Sequence, residues 1–213
     1  MDDPILNEQI EYYRARAQEY DESISSAVEL FDAGKAMLLK LGRFENILEL
    51  ACGTGFWTEA LLTMGGHVTA VDAAPEMLAI ARERYGDERI VYQQADLFKW
   101  QPSGEYDLVF FANWLSHVPP SALEEFLDKV RRSVRPGGLV ALVDQHAPSV
   151  ADEIIAKDAI YAKRPLEDGR EYTIVKAFYD LTMLEETLKS LGFEVSTAKF
   201  TETFFFLSGK RAA

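Results

Sequence analysis

Residues 47–55 read Ile-Leu-Glu-Leu-Ala-Cys-Gly-Thr-Gly, a glycine turn set directly behind a short apolar strand. A second strand ends in Val71-Asp72, seventeen residues after Gly55. A carboxylate there can accept hydrogen bonds from both hydroxyls of a ribose, and the glycines let the backbone approach the rest of a nucleoside cofactor. The stretch points to a nucleoside site at the carboxyl edge of a parallel sheet.

The pattern around it agrees. Ile47–Leu50 reads as a strand, Phe56–Met64 as a helix closed by Gly65-Gly66, and His67–Val71 as the next strand. Pro75 opens a helix running to Tyr85, and Ile90–Gln94 is a third strand. Tyr106–Phe111 is apolar along nearly its whole length, as a strand buried on both faces must be. Leu123, Phe126, Leu127, Val130 and Val134 recur on one helix face, closed by Arg135-Pro136-Gly137-Gly138 ahead of a fifth strand, Leu139–Asp144. Strands alternating with helices indicate an α/β, doubly wound, mostly parallel sheet with helices on both faces. Phe193–Lys199 and Thr203–Ser208 are close enough to pair as an antiparallel C-terminal hairpin, giving seven strands in all.

Ile10–Tyr20 and Val28–Leu41 read as helices preceding the first strand. The 213-residue chain is therefore expected to be a single domain: a helical cap (1–42), a cofactor-binding core (43–146), a substrate-covering insertion (147–178) and a C-terminal helix and hairpin (179–213). Glu171–Phe178 is a candidate extra strand within the insertion.

One cysteine and three histidines argue against an internal disulfide or a structural zinc site, and no metal is expected. Cys52 reads as a small buried residue or a reactive thiol, with the first favoured. The net charge of −13, and eight acidic residues against two arginines in residues 1–30, argue against a nucleic-acid partner. The opening Met-Asp-Asp-Pro does not read as a signal peptide, and no stretch approaches the roughly 20 apolar residues of a membrane span. A cytoplasmic monomer or homodimer without a membrane partner is the expectation.

These features resemble the class I S-adenosylmethionine-dependent methyltransferases, small-molecule branch. Glu49 to Gly55 matches the first motif, and four further matches follow in order at Val71-Asp72, Ala95-Asp96-Leu97, Asp107 to Phe110, and Arg135 to Gly138. The segment from Tyr12-Tyr13 to Tyr20-Asp21 is similar to that branch's amino-terminal cofactor cover. The resemblance implies S-adenosyl-L-methionine as cofactor and a small-molecule methyl acceptor. It implies that Ala51 and Gly53 lie by the methionine part, that Glu49 helps hold its amino group, and that Asp72 takes the ribose hydroxyls. Ala73 and Met77 would lie along the adenine, Asp96 would accept from its amino group beside the Leu97 backbone, and Asn113, Tyr20 and Trp57 would surround the methionine part.

The residues themselves leave other readings open: Asp72 as a helix cap, Asp96 as a turn residue, Glu49 as a solvated strand end, Met77 as ordinary core. The nicotinamide fingerprint G-x-G-x-x-G fits poorly, because position 58 is Thr and Phe56-Trp57 crowd the turn.

His117 lies just past the fourth strand and is the candidate catalytic base, since an imidazole titrates near pH 6.5 (about) and suits proton removal. A structural histidine is the competing reading. His146 has a similar position, while His67 lies at the wrong edge of the sheet. Tyr12, Tyr13 and Trp114 are candidates for an acceptor pocket, and Arg164, Arg170 and Lys176 either reach an acidic acceptor or form a solvated face. The reading is methyl transfer to oxygen or nitrogen, with carbon open. The alternative is a non-catalytic cofactor-binding module that recruits a partner protein.

Overall fold

The structure is a computed structural model describing residues 3–25, 28–148 and 160–213. Its main sheet has seven strands. β1 (Phe44–Leu50), β2 (Gly65–Asp72), β3 (Ile90–Gln94), β4 (Tyr106–Ala112) and β5 (Val134–Gln145) run parallel. β8 (Phe193–Lys199) and β9 (Phe204–Arg211) are antiparallel, and the order is β3-β2-β1-β4-β5-β9-β8. The order reverses between β1 and β4, and the crevice at such a switch point is where doubly wound sheets bind ligands.

Side chains on successive strand residues point to opposite faces, so each central strand feeds two cores. Leu48, Leu50, Val109, Phe111, Val140 and Leu142 pack on one face with α6 (Pro120–Ser133) and α7 (Leu181–Ser190). Ile47, Val68, Leu108, Phe110, Ala141 and Val143 pack on the other with α3 (Val28–Leu39) and α4 (Thr58–Met64). This double burial explains the unbroken apolar run of β4.

Three elements differ from the sequence expectation. The helix expected over residues 10–20 is two: α1 (Pro4–Arg16) stops, tight bonds from Ala17 to Arg14 and Glu19 to Arg16 turn the chain, and α2 (Tyr20–Ser25) begins at Tyr20. Residues 135–138 do not simply close a helix. β5 already starts at Val134, and the pairing jumps from Tyr106↔Val134 to Leu108↔Leu139, so the Pro-Gly-Gly segment bulges where a proline has no N–H for the ladder. The candidate extra strand over Glu171–Phe178 is present as β7 (Glu171–Val175), but it pairs antiparallel with an unexpected strand, β6 (Tyr161–Pro165), in a hairpin separate from the main sheet. Residues 149–159 of the insertion lie outside the described residues.

The hairpin and α1 form one cap. Tyr12 packs with Ala162, Leu166 and Ile174, and the Glu8 carboxylate accepts the Thr173 N–H at 2.6 Å. α5 (Pro75–Tyr85) meets the cap's other side, where Arg14 holds Glu76. Among the described residues, no helix is long and apolar enough to cross a membrane.

Candidate active site

β1 and β2 pair Leu50 with Val71, so Ala51 and Asp72 leave the sheet side by side. The Asp72 carboxylate accepts the Gly53 N–H at 2.8 Å and the Ala74 N–H at 2.9 Å. It therefore does cap the turn into α5, and it also lines a cavity, with acceptor capacity left over because a carboxylate offers about four lone-pair sites. Burial pushes its pKa up, opposed by the bonds from Ala74, Gly53 and Ala73.

Two residues other than glycine hold left-handed backbone here: Ala51 (φ 53°) and Asn113 (φ 52°), at the carboxyl ends of adjacent strands β1 and β4. Such backbone costs on the order of 1–3 kcal/mol and concentrates where a ligand is held. Gly53 (φ 56°) takes the same conformation without that cost.

The cavity spans about 630 Å³, counting the space open to solvent. It brings together Tyr20, Ala51, Gly53, Asp72, Ala73, Met77, Asp96, Leu97, Asn113 and His117 of the expected site. Glu49 and Trp57 do not wall it. Glu49 is buried at the end of β1, where its carboxylate accepts the Thr58 hydroxyl at 2.6 Å. Trp57 belongs to the opposite core, stacked among Phe31, Phe56 and Phe110, because the turn directs it beneath the sheet rather than over the cavity. Gln9 and Ile10 line the cavity without a sequence signal, since only the docking of α1 brings them there.

Beyond β4 the cavity continues along a short 3-10 turn (Leu115–His117). Asp144 at the end of β5 holds it from behind, accepting the Ser116 N–H at 3.1 Å. His117, only 6% exposed, has its Nδ1 2.7 Å from the Val175 carbonyl oxygen and its Nε2 2.8 Å from the Tyr13 hydroxyl. Gln9 fastens the same corner: its amide donates to the His117 carbonyl at 3.2 Å and accepts the Val175 N–H at 3.0 Å. Trp114 lines the cavity, with its ring tilted against Phe98 and edge-on to Phe126.

The other candidates separate. His67 is exposed at the amino end of β2. His146 lines a different cavity with Tyr179, Asp180, Glu185 and Lys199, and burial, with Lys199 adding, lowers its pKa. Arg170 pairs with Asp168 at the hairpin tip, while Lys176 lies inward against Ser116 and Gln145. Cys52 is buried, and burial pushes its thiol pKa well up, as an unreactive packing residue requires.

Residues 47–138 match the methyltransferase domain family. A solved structure described as a DhpI-SAM-HEP complex is 36% identical, with a TM-score of 0.87, over 98% of this chain and 99% of that one. The chain belongs to the class I S-adenosylmethionine-dependent methyltransferases. Among curated relatives, the malonyl-[acyl-carrier protein] O-methyltransferase of Paenibacillus sp. (strain JDR-2) is 32% identical over 160 residues, 65% of this chain and 54% of that protein. The ubiquinone biosynthesis O-methyltransferase of Xylella fastidiosa (strain 9a5c) is 31% identical over 130 residues, 58% and 51%. The chain spans about half the length of the curated relatives it matches.

In this methyltransferase, Thr58 stands where a dinucleotide fold keeps its third glycine, and its hydroxyl anchors Glu49. Gly55 is suited to glycine twice over: its φ is 88°, and a Cβ there would lie 2.7 Å from the Tyr85 ring. Burial raises the Glu49 carboxyl to about 8, with the Thr58 bond opposing and Asp72 adding to the rise. A carboxyl raised in the folded state contributes stability that is full below its unfolded pKa and is lost as pH climbs through the folded value. Between pH 5 and 9 the ligand-free protein should lose on the order of a few kcal/mol at this residue. Glu49→Gln should remove that loss, melting roughly 5 °C above the wild type at pH 9 but not at pH 5. Parallel melting curves for the two proteins across this range would show that Glu49 is ionised throughout.

Proposed function

We propose that this methyltransferase transfers a methyl group from S-adenosylmethionine to an oxygen, or a nitrogen, of a small metabolite. When bound, the cofactor supplies a sulfonium methyl already activated for transfer. Asp72 holds the ribose hydroxyls, Met77 and Ala73 lie along the adenine with Asp96 and Leu97 at its edge, and Tyr20, Ala51, Gly53 and Asn113 surround the methionine part. Glu49 acts on that part from behind Thr58 and the turn rather than from the cavity wall. Trp57 supports the turn from below.

The observation that carries the reading is one cavity lined by both a carboxylate suited to ribose, Asp72, and a buried histidine, His117. The protein's main task is to hold the acceptor in line with the methyl, and such positioning supplies much of the rate. His117 takes the proton of an acceptor that is protonated before reaction. Oxygen is favoured because several of the curated relatives matched are O-methyltransferases. Gln9, Ile10 and Tyr13 of α1 wall the cavity, and its volume of about 630 Å³ suits a small acceptor.

The test is incubation with methyl-labelled cofactor and a metabolite extract. Label on a small molecule is the expected result. Tight cofactor uptake with no transfer across broad extracts would overturn the reading in favour of a binding module.

A further inference from the structure

Tyr13 and His117 both line the cavity and are hydrogen-bonded to each other. The Val175 carbonyl can only accept, so neutral His117 carries its proton on Nδ1 and presents a lone pair at Nε2. The Tyr13 hydroxyl, 2.8 Å away, must then donate to Nε2. Both ring nitrogens are thus engaged by the protein's own groups, whereas the Tyr13 oxygen still has lone pairs and its side chain lines the cavity. The donor geometry is fixed from behind, since Gln9 ties the His117 and Val175 backbones to α1, the helix that carries Tyr13.

Resting on the methyl-transfer reading above, we infer that Tyr13 is the catalytic residue that meets the acceptor, and that His117 is the proton store behind it. The acceptor's O–H proton passes to the Tyr13 oxygen as the Tyr13 proton passes to His117 Nε2. The acceptor oxygen forms its bond to the methyl carbon while the carbon–sulfur bond breaks, leaving its electron pair on sulfur. One positive charge therefore moves from sulfonium to imidazolium, and the proton later returns through Tyr13 to solvent. Tyr13 stays a neutral phenol at rest, because burial raises its pKa, helped by Tyr20 and Tyr12. Arg16 and Arg164 act the other way and favour partial negative charge on its oxygen during the transfer.

Tyr13→Phe removes only the hydroxyl and keeps the ring that packs against Tyr12 and Tyr20. With methyl-labelled cofactor and the extract fraction that accepts methyl from the wild type, its turnover should fall roughly 10-fold or more, with water bridging less well in place of the hydroxyl. S-adenosylhomocysteine affinity should stay unchanged. Adding Tyr13→Phe to His117→Ala should cost little beyond His117→Ala, because residues acting as one unit are not additive. In protein labelled with [15N]histidine, His117 should show the Nδ1–H tautomer, and Tyr13→Phe should shift its Nε2 resonance. Wild-type turnover in Tyr13→Phe, multiplying losses in the double variant, or an unmoved Nε2 signal would each overturn the relay. A wild-type protein that binds cofactor but labels nothing would instead defeat methyl transfer itself.

Discussion

Replacing Asp72 with Ala is expected to weaken S-adenosylhomocysteine binding by roughly 10²-fold, the cost of losing two charge-assisted hydrogen bonds to ribose hydroxyls. Calorimetry measures it. The same carboxylate accepts the Gly53 and Ala74 N–H groups, so the variant should also lose about 1–2 kcal/mol of stability as those donors lose their partner. Asp72→Asn separates the two effects. Its amide oxygen can still accept one of the turn N–H groups, so it should keep more stability than Ala while losing the charge that would strengthen the proposed ribose bonds. Unchanged affinity in Asp72→Ala would remove the carboxylate from the cofactor site and leave it as a turn cap.

His117→Ala should lower turnover by about 10²-fold with cofactor affinity nearly unchanged, the usual loss when a positioned proton acceptor is removed. The histidine also has a structural share, because its Nδ1–H satisfies the Val175 carbonyl and joins the turn to β7. Thermal melting must therefore accompany the kinetics. Turnover near the wild-type value, or a loss that merely tracks the unfolded fraction at the assay temperature, assigns His117 to the architecture alone.

The sheet was readable because its signals are local. An apolar β4 and glycines at 53 and 55 follow from double-sided burial and a turn that needs left-handed backbone, and both leave marks in consecutive residues. The carboxylate at the end of β2 was readable for the same reason, since strand alternation and parallel pairing bring Asp72 beside the turn after β1. Trp57 was not readable in this way. The family resemblance implied a cofactor contact, but the turn sends its ring into the core below the sheet. The bulge at residues 135–138 was hidden because proline and glycines mark a break in pairing without saying whether the strand starts before or after it.

Local order of apolar, glycine and acidic residues was enough for a parallel sheet with a nucleoside site at one edge, because neighbouring positions along the chain carry that information. How the candidates around His117 meet was decided by tertiary packing. Gln9 and Tyr13 meet His117 across more than 100 positions, and Val175 meets it from a different hairpin. Which nitrogen of His117 holds a proton depends on a carbonyl from a strand that no pattern near residue 117 could announce.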